Sequence, residues 1–412
     1  MHIVIIGAGI VGLTSAWQLA RDGHNLTVID RNARVGDGAS HANGAQLSYS
    51  YVAPLAAPDV LRSLPKYLFS ADSPMKFVPE ADPAQWSWLL KFLSACNAGT
   101  SAASTAKLLA LARLSRNTLH ALIDETEIDF DYARNGKLVI QSSVESQQAA
   151  EAQMRLQASM GCEQYALTAA ECIALEPGLE SVKHRLVGGI HTPSEEVGDC
   201  RKLCEGMHDM LAAGGTQFLL GTAAELAMEN GRVAGVDTAQ GRVTGDLYVV
   251  AAGTGSRGLA RQVRQPAPVL PVRGYSISAP VLASNRAPVR SITDSARKTV
   301  YAPLGDRMRT AGFAEIGGPD ERHVDARIAT LSTELQAIFP GACATTDLQP
   351  WIGQRPLTPT CVPMIGPTRI ENLFFNIGQG KLGFTLSCGS AALLADLVAG
   401  RKPAVEAADY AC

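Results

Sequence analysis

Residues 2–12 read His-Ile-Val-Ile-Ile-Gly-Ala-Gly-Ile-Val-Gly, a β-branched apolar run that breaks into Gly7, Gly9 and Gly12 at the GxGxxG spacing. A run of that kind is a buried strand, and glycines at those steps turn it directly into a helix. Gly7 permits the tight turn, Gly9 lets backbone approach a pyrophosphate, and Gly12 lets the helix pack closely on the strand. The helix over 13–21 stops at Gly23, and a second apolar run, 26–29, ends in Asp30, placed to accept from the ribose hydroxyls of an adenosine. A complete βαβ unit thus predicts a dinucleotide whose phosphates meet the free N–H groups of a helix start. NAD and FAD use the same device.

At 412 residues the chain is too long for one compact core and suits two domains. Charged residues are 18%, the net charge is -3 and the apolar share is 46%, which excludes a nucleic-acid binder or a disordered chain and leaves a small molecule as the expected partner. Nine cysteines are scattered without CxxC pairs, and the first strand starts at residue 2. The expectation is reduced thiols, no signal peptide and a cytoplasmic protein. Cys200 and Cys204 fall one helical turn apart without His or Cys partners, so they read as ordinary helix residues and no metal is expected. No apolar run reaches the length of a membrane span.

After Asp30, a loop of small and amide residues at 39–46 offers Ser40, Asn43 and Gln46 as donors. An NAD enzyme would continue into another helix and parallel strand, whereas this chain runs through Pro54, Pro58, Pro65, Pro74, Pro79 and Pro83. A flavoprotein whose loop wraps its cofactor fits better. Helical periodicity marks 86–93 and 106–123, the latter with Leu108, Leu111, Ala112, Leu114, Leu119 and Leu122 on one face. The Asn135-Gly136 pair predicts a hairpin between 130–132 and 136–141. Asp199 is placed to cap a helix over 200–213, followed by a meander through 217–220, 224–229, 233–238 and 241–245. The buried strand 246–252 ends in glycines that return the chain to the cofactor. Further strands are expected at 275–279, 299–302, 308–313 and 373–376, and a last helix follows the glycine-rich loop 378–383.

Six pieces occur together in order: VIIGAGIVGL, the loop at 40–46, PVRGYS at 271–276, GFAEIGG at 312–318, WIGQRPLTP at 351–359 and NIGQGKLGFTLSCGSAALLADL at 376–397. In this order they resemble the D-amino-acid oxidase superfamily, most closely its bacterial FAD-dependent D-amino-acid dehydrogenase (small subunit) branch. The resemblance implies an α/β protein with an α+β second domain. A glutathione-reductase-like, Rossmann FAD-binding domain (1–58, 195–265 and 346–412) carries an antiparallel-sheet substrate domain (59–194 and 266–345). It also implies an enzyme that oxidatively deaminates a D-amino acid to a 2-oxo acid and ammonia by hydride transfer to flavin N5. Electrons then pass to a quinone or other non-oxygen acceptor. The alternative within the superfamily is an oxidase or dehydrogenase of glycine, sarcosine or D-hydroxyproline. The sequence departs from the family at Asn43-Gly44-Ala45-Gln46, where Asn-Ala-Gly-Gln is usual, at Gln379, Lys381 and Phe384, where His, Thr and Trp are usual, and at Gln354, where Leu is usual.

The FAD contacts expected are Gly7, Gly9, Ile10, Val11 and Gly12; Asp30 and Arg31; Ser40, Asn43, Gln46 and Leu47; Ala224, Ala252 and Gly253; Gly353; and Gly380, Lys381, Leu382 and Gly383. No His or Cys sits in a linkage motif, so the FAD is expected to be non-covalent. Hydride transfer from Cα needs geometry and a neutral amine, and no nucleophile or metal. Arg355 is the candidate grip on the substrate carboxylate, with Tyr51 and Tyr275 as phenolic donors and Lys381 at the flavin N1 and O2 edge, where it would stabilise the reduced anion. Delivery to a quinone implies peripheral contact with the inner face of the cell membrane, for which the segment 54–93, with Phe69, Phe77, Trp86 and Trp88, is the expected surface.

Overall fold

The computed structural model describes residues 1–58, 60–61, 75–283, 286–317 and 324–412. The strand His2–Ile6 lies at the centre of a six-stranded sheet. Asn25–Asp30 and Leu247–Val250 flank it, both parallel to it. Gln217–Leu220 extends one side, while Leu373–Ile377 and the antiparallel edge strand Met364–Pro367 extend the other. The crossover helix Ile10–Arg21 packs with Gly383–Val398 and Cys200–Ala213 in one apolar core. Gly12 makes the first crossover possible, because a Cβ there would sit 1.8 Å from Gly7 O.

A second, mainly antiparallel sheet runs in the order Gln349–Leu357, Leu270–Pro280, Arg307–Ile316, Thr299–Leu304, Ser291–Asp294, Lys137–Gln141, Gly188–Thr192, Tyr165–Thr168, with Met75–Phe77 beside Arg307–Ile316. One face is covered by the helix Val324–Ile338 through Leu331, Leu335 and Ile338. The other faces the first domain across a large cavity. The two domains are those of a Rossmann-type FAD fold with a substrate domain.

Several segments fold differently from their sequence pattern. The Asn135-Gly136 turn forms no hairpin: Asn135 Nδ2 donates to Val289 O and Gly136 N to Glu195 O, tying the turn to distant chain. Lys137–Gln141 therefore pairs with Gly188–Thr192 and Ser291–Asp294, and 130–133 contributes only a bridge from Ala133 to Val197. Gln217–Leu220 leaves the expected meander to cover the open edge of Asn25–Asp30, so that Glu225–Glu229, Arg232–Thr238 and Gly241–Val243 make a sheet of their own.

Two domain boundaries also move. Gln349–Leu357 pairs along its length with Leu270–Pro280, which places it in the second domain rather than in a segment starting at 346. The helix Ala98–Glu125 buries Leu108, Leu111, Ala112, Leu119 and Leu122 against the nucleotide domain rather than joining 59–194 in the other. The stretch Gly380–Val398 has a mean hydropathy of 1.3 and is long enough to cross a membrane, but it lies mostly buried as a core helix. No disulfide joins the nine cysteines among the described residues, and Cys200 and Cys204 lie in the core of the nucleotide domain.

Candidate active site

A cavity of about 1000 Å³ runs from the start of the first crossover helix to the second sheet. Its nucleotide end is lined by Gly7, Gly9, Ile10, Val11, Asp30, Arg31, Ser40, Ala224, Ala252 and Gly253. Gly12 lies behind this wall, where it serves helix packing, and Leu47 is fully buried in the core instead of facing the cofactor. The helix Ile10–Arg21 has no side-chain cap at Gly9, while Ile10 N donates to Ser40 Oγ at 3.0 Å. Its other first-turn N–H groups remain for an anion. Asp30 is held by Ala8 N at 2.6 Å and Asn32 N at 2.8 Å, which fixes its carboxylate at the cavity wall. These residues fit the adenosine and pyrophosphate of a dinucleotide.

The loop 42–46 crosses from this end to the second sheet and is fastened at each step. Ser276 Oγ donates to Ala42 O at 2.6 Å, Arg309 Nη1 to Asn43 O at 3.0 Å, and Gly198 N to Ala45 O at 3.0 Å. Asn43 lines the cavity, and its Oδ1 accepts from Ala45 N at 2.9 Å, bracing its own turn. Ala45 has φ +58, the left-handed conformation that glycine adopts more readily, and its buried methyl packs with Val197, Ala302 and Leu304. Gln46 lines the cavity with both ends of its amide engaged: Nε2 donates to Ser291 Oγ and Oε1 accepts from Lys137 Nζ at 2.9 Å.

At the substrate end, residues 351–357 of the strand Gln349–Leu357 line the cavity, Arg355 among them. The Arg355 guanidinium lies across Gly274, where a Cβ would sit 2.3 Å from Nη2. Its Nη1 donates to Phe313 O at 2.9 Å. Phe313 has φ +63 at the register shift between Leu270–Pro280 and Arg307–Ile316, and this bulge aims its carbonyl at the guanidinium. Arg355 has no carboxylate partner among the described residues. Burial alone lowers its pKa, but the guanidinium remains charged at neutral pH.

Tyr275 touches the cavity, but its hydroxyl donates to Glu315 Oε2 at 2.6 Å, and Glu315 in turn accepts from Arg327 Nε at 2.9 Å. Burial and this carboxylate push the Tyr275 pKa up to about 12, and the phenol expected to meet substrate is committed to the domain interior. Tyr51 lines the cavity, and its hydroxyl has no partner among the described residues. Lys381 reaches into the cavity, with Nζ donating to Ala53 O at 2.7 Å. Enclosure lowers its pKa, Cys361 opposes this, and Lys298 and Arg355 nearby lower it further. Gly380, Leu382 and Gly383 line the same end, beside the buried Gln379, whose Nε2 donates to Asn376 Oδ1 at 2.6 Å.

The model of the FAD dependent oxidoreductase family matches residues 2–397. The chain belongs to that family. A protein named D-amino acid dehydrogenase 2 from Ralstonia nicotianae is 46% identical over 423 residues, covering 100% of this chain and 99% of its own. Another of that name, from Pseudomonas aeruginosa, is 42% identical, covering 98% of this chain and 96% of its own. Among solved structures, glycine oxidase from Geobacillus kaustophilus superposes with a TM-score of 0.78 at 20% identity, covering 99% and 97% of the two chains, a likeness of fold.

In this flavoprotein the sequence reading passed over Lys137, Glu195 and Lys298. Lys137 is 1% exposed; its Nζ donates to Gln46 and to Ser48 Oγ at 3.0 Å and stands 4.1 Å from the centre of the Tyr51 ring. Burial brings its pKa down to about 8, against the attraction of Glu195. Glu195 accepts from Ser50 N at 2.6 Å, and burial raises its pKa. A lysine opening the otherwise buried strand KLVIQ is the signal that could have found the first of these. Nothing local marks Glu195, because its meaning depends on strand pairing across the chain.

Proposed function

We propose that this flavoprotein oxidises a D-amino acid to an imino acid, which hydrolyses to a 2-oxo acid and ammonia, and that its electrons leave to an acceptor other than oxygen. The observation that carries the reading is Arg355, a guanidinium facing the cavity with a carbonyl on one side and no carboxylate among the described residues. A substrate carboxylate supplies the missing partner through a planar two-point contact. The relatives named D-amino acid dehydrogenase, alike over the full length, support the same substrate class.

Bound FAD supplies the hydride acceptor. The protein supplies the geometry. Arg355, held by Phe313 O across Gly274, fixes which face of Cα is presented. Lys381 and Lys298 make the cavity positive, which disfavours the ammonium form and so favours the neutral amine that reacts. Tyr51 offers a hydroxyl that bonds no other described residue. Anaerobic flavin bleaching against D- and L-amino acids, glycine, sarcosine and prolines tests the reading. Bleaching by D-amino acids with little peroxide formed in air supports it; bleaching by glycine or sarcosine alone moves the protein to the alternative substrate class.

A quinone at the membrane surface is the acceptor we propose, with a cytoplasmic enzyme touching the inner face of the membrane. Within the segment expected to make that contact, Phe69 lies outside the described residues and Trp88 is buried, its Nε1 donating to Leu357 O at 2.9 Å. Phe77 is half-buried with Trp86 at its edge. Trp86 and Leu90, one turn apart and 46% and 69% exposed, take over the role. Liposome co-sedimentation should fall when both are replaced by Ser; unchanged binding would remove this surface from the proposal.

A further inference from the structure

The walls of the substrate end hold cations out of proportion to one amino-acid carboxylate. Arg355, Lys381 and Lys298 all line it, and none has an acidic partner among the described residues. Lys137 lies there too, but Glu195 offsets it. The acids on the cavity wall, Asp30 and Asp37, belong to the nucleotide end. A reacting amino acid with a neutral amine brings one negative charge, which Arg355 takes. Two positive charges are left facing the same space.

Resting on the deamination reading above, we infer that the substrates are amino acids with a second carboxylate, the α-carboxylate on Arg355 and the side-chain carboxylate on Lys298. Phe313 O holds Arg355 Nη1, and the backbone of Lys298 runs beside the preceding Gly312, its carbonyl 3.7 Å from where a Cβ there would stand. Lys298 is set by a firm turn: Asp294 Oδ1 accepts from Ala296 N and Arg297 N, both at 3.1 Å, and Lys298 closes the turn at φ +54. Lys298 is exposed at the cavity wall, and its ammonium makes no hydrogen bond to any described residue, so its donors face water or a ligand. All three cations line the same cavity, and Lys298 and Arg355 both act to lower the Lys381 pKa. A second carboxylate meets attraction from these cations, and a basic side chain meets repulsion.

The experiment is anaerobic reduction of the holoenzyme by D-glutamate, D-aspartate, D-glutamine, D-alanine and D-lysine. It is paired with titration of the oxidised flavin absorbance by glutarate and by butyrate, which needs no turnover. D-Glutamate should exceed its neutral isostere D-glutamine in kcat/KM by about tenfold or more, and glutarate should bind more tightly than butyrate by a similar factor that shrinks with added salt. Lys298→Gln should collapse both preferences, the kinetic one through KM, and Lys298→Arg should restore them. D-Glutamine equal to or better than D-glutamate, with butyrate binding as well as glutarate, overturns the inference while leaving deamination intact. Failure of every amino acid to bleach the flavin would instead overturn the deamination reading itself. The wild-type comparisons decide the matter even where a Lys298 variant folds poorly.

Discussion

Arg355 lies over Gly274 with its Nη1 2.9 Å from Phe313 O, so the guanidinium depends on one residue having no side chain and on another holding a left-handed backbone. The grip on a carboxylate that we propose for it is therefore preorganised by two strands besides its own. Arg355→Lys should lower kcat/KM by about 100-fold with FAD still bound, because a point charge cannot reproduce the planar fork. Gly274→Ala should lose a comparable factor by displacing the same group. Steady-state kinetics with a flavin absorbance spectrum check both, and an unchanged kcat/KM in either would place the carboxylate elsewhere.

Tyr275→Phe separates a structural from a substrate-binding phenol. The hydroxyl is bonded to Glu315, which keeps Arg327 when the phenol is removed. Stability should fall by about 1 kcal/mol, read by thermal unfolding, and KM should stay within about threefold of the parent. A large rise in KM would return Tyr275 to the substrate.

Lys137 and Glu195 are both buried and attract each other electrostatically without a direct ion pair, Lys137 Nζ bonding Gln46 and Ser48 while Glu195 accepts from Ser50 N. Lys137→Met leaves the Glu195 carboxylate without its cation and should destabilise the protein by about 3 kcal/mol, most of which Glu195→Gln in the same chain should recover. The pH dependence has a definite sign. The folded protein releases the Lys137 proton near pH 8, whereas the unfolded chain holds it to about 10.5. Burial of the charged lysine is thus fully felt below pH 8 and is relieved as pH rises between those values, where the unfolded state binds the extra proton. Relative to the double variant, the parent should gain stability on going from pH 8 to pH 10, as followed by denaturant unfolding. A difference independent of pH would mean that Lys137 is not the group that titrates.

What the sequence made legible was local. The GxGxxG turn, Asp30, the helix caps and the last glycine-rich loop each declare themselves within a few residues, because a tight turn or a helix start needs particular side chains at fixed steps. Arg355 was found through its motif, but its support was not: Gly274 and Phe313 matter only through strand register, and a bulge leaves no local mark. The Asn135-Gly136 turn shows the converse case, a strong local signal whose flanks pair elsewhere because Val289 and Glu195 claim its polar groups. Asn43 likewise had the right residue type and place for a ligand contact, and spends its oxygen on Ala45 N.

Lys381 replaces a residue that is uncharged in the family pattern, and it lies in the cavity with Nζ on Ala53 O. A cation there favours the anionic reduced flavin, so Lys381→Met should slow anaerobic flavin reduction by about tenfold and raise the proportion of neutral reduced flavin in the spectrum. The pH profile follows from its surroundings. Gln379 carries no titrating group, so the reduction rate should rise with pH as the substrate amine loses its proton. Burial, with Lys298 and Arg355 nearby, lowers the Lys381 pKa below the usual lysine range, so its charge and its stabilisation of the reduced anion are lost as pH rises through that lowered value. The reduction rate should therefore fall again at alkaline pH, and this falling limb should vanish in Lys381→Met while persisting in Lys137→Met. A falling limb that survives in Lys381→Met would assign it to another group and leave Arg355 and the helix-terminal amides as the electrostatic core of the site.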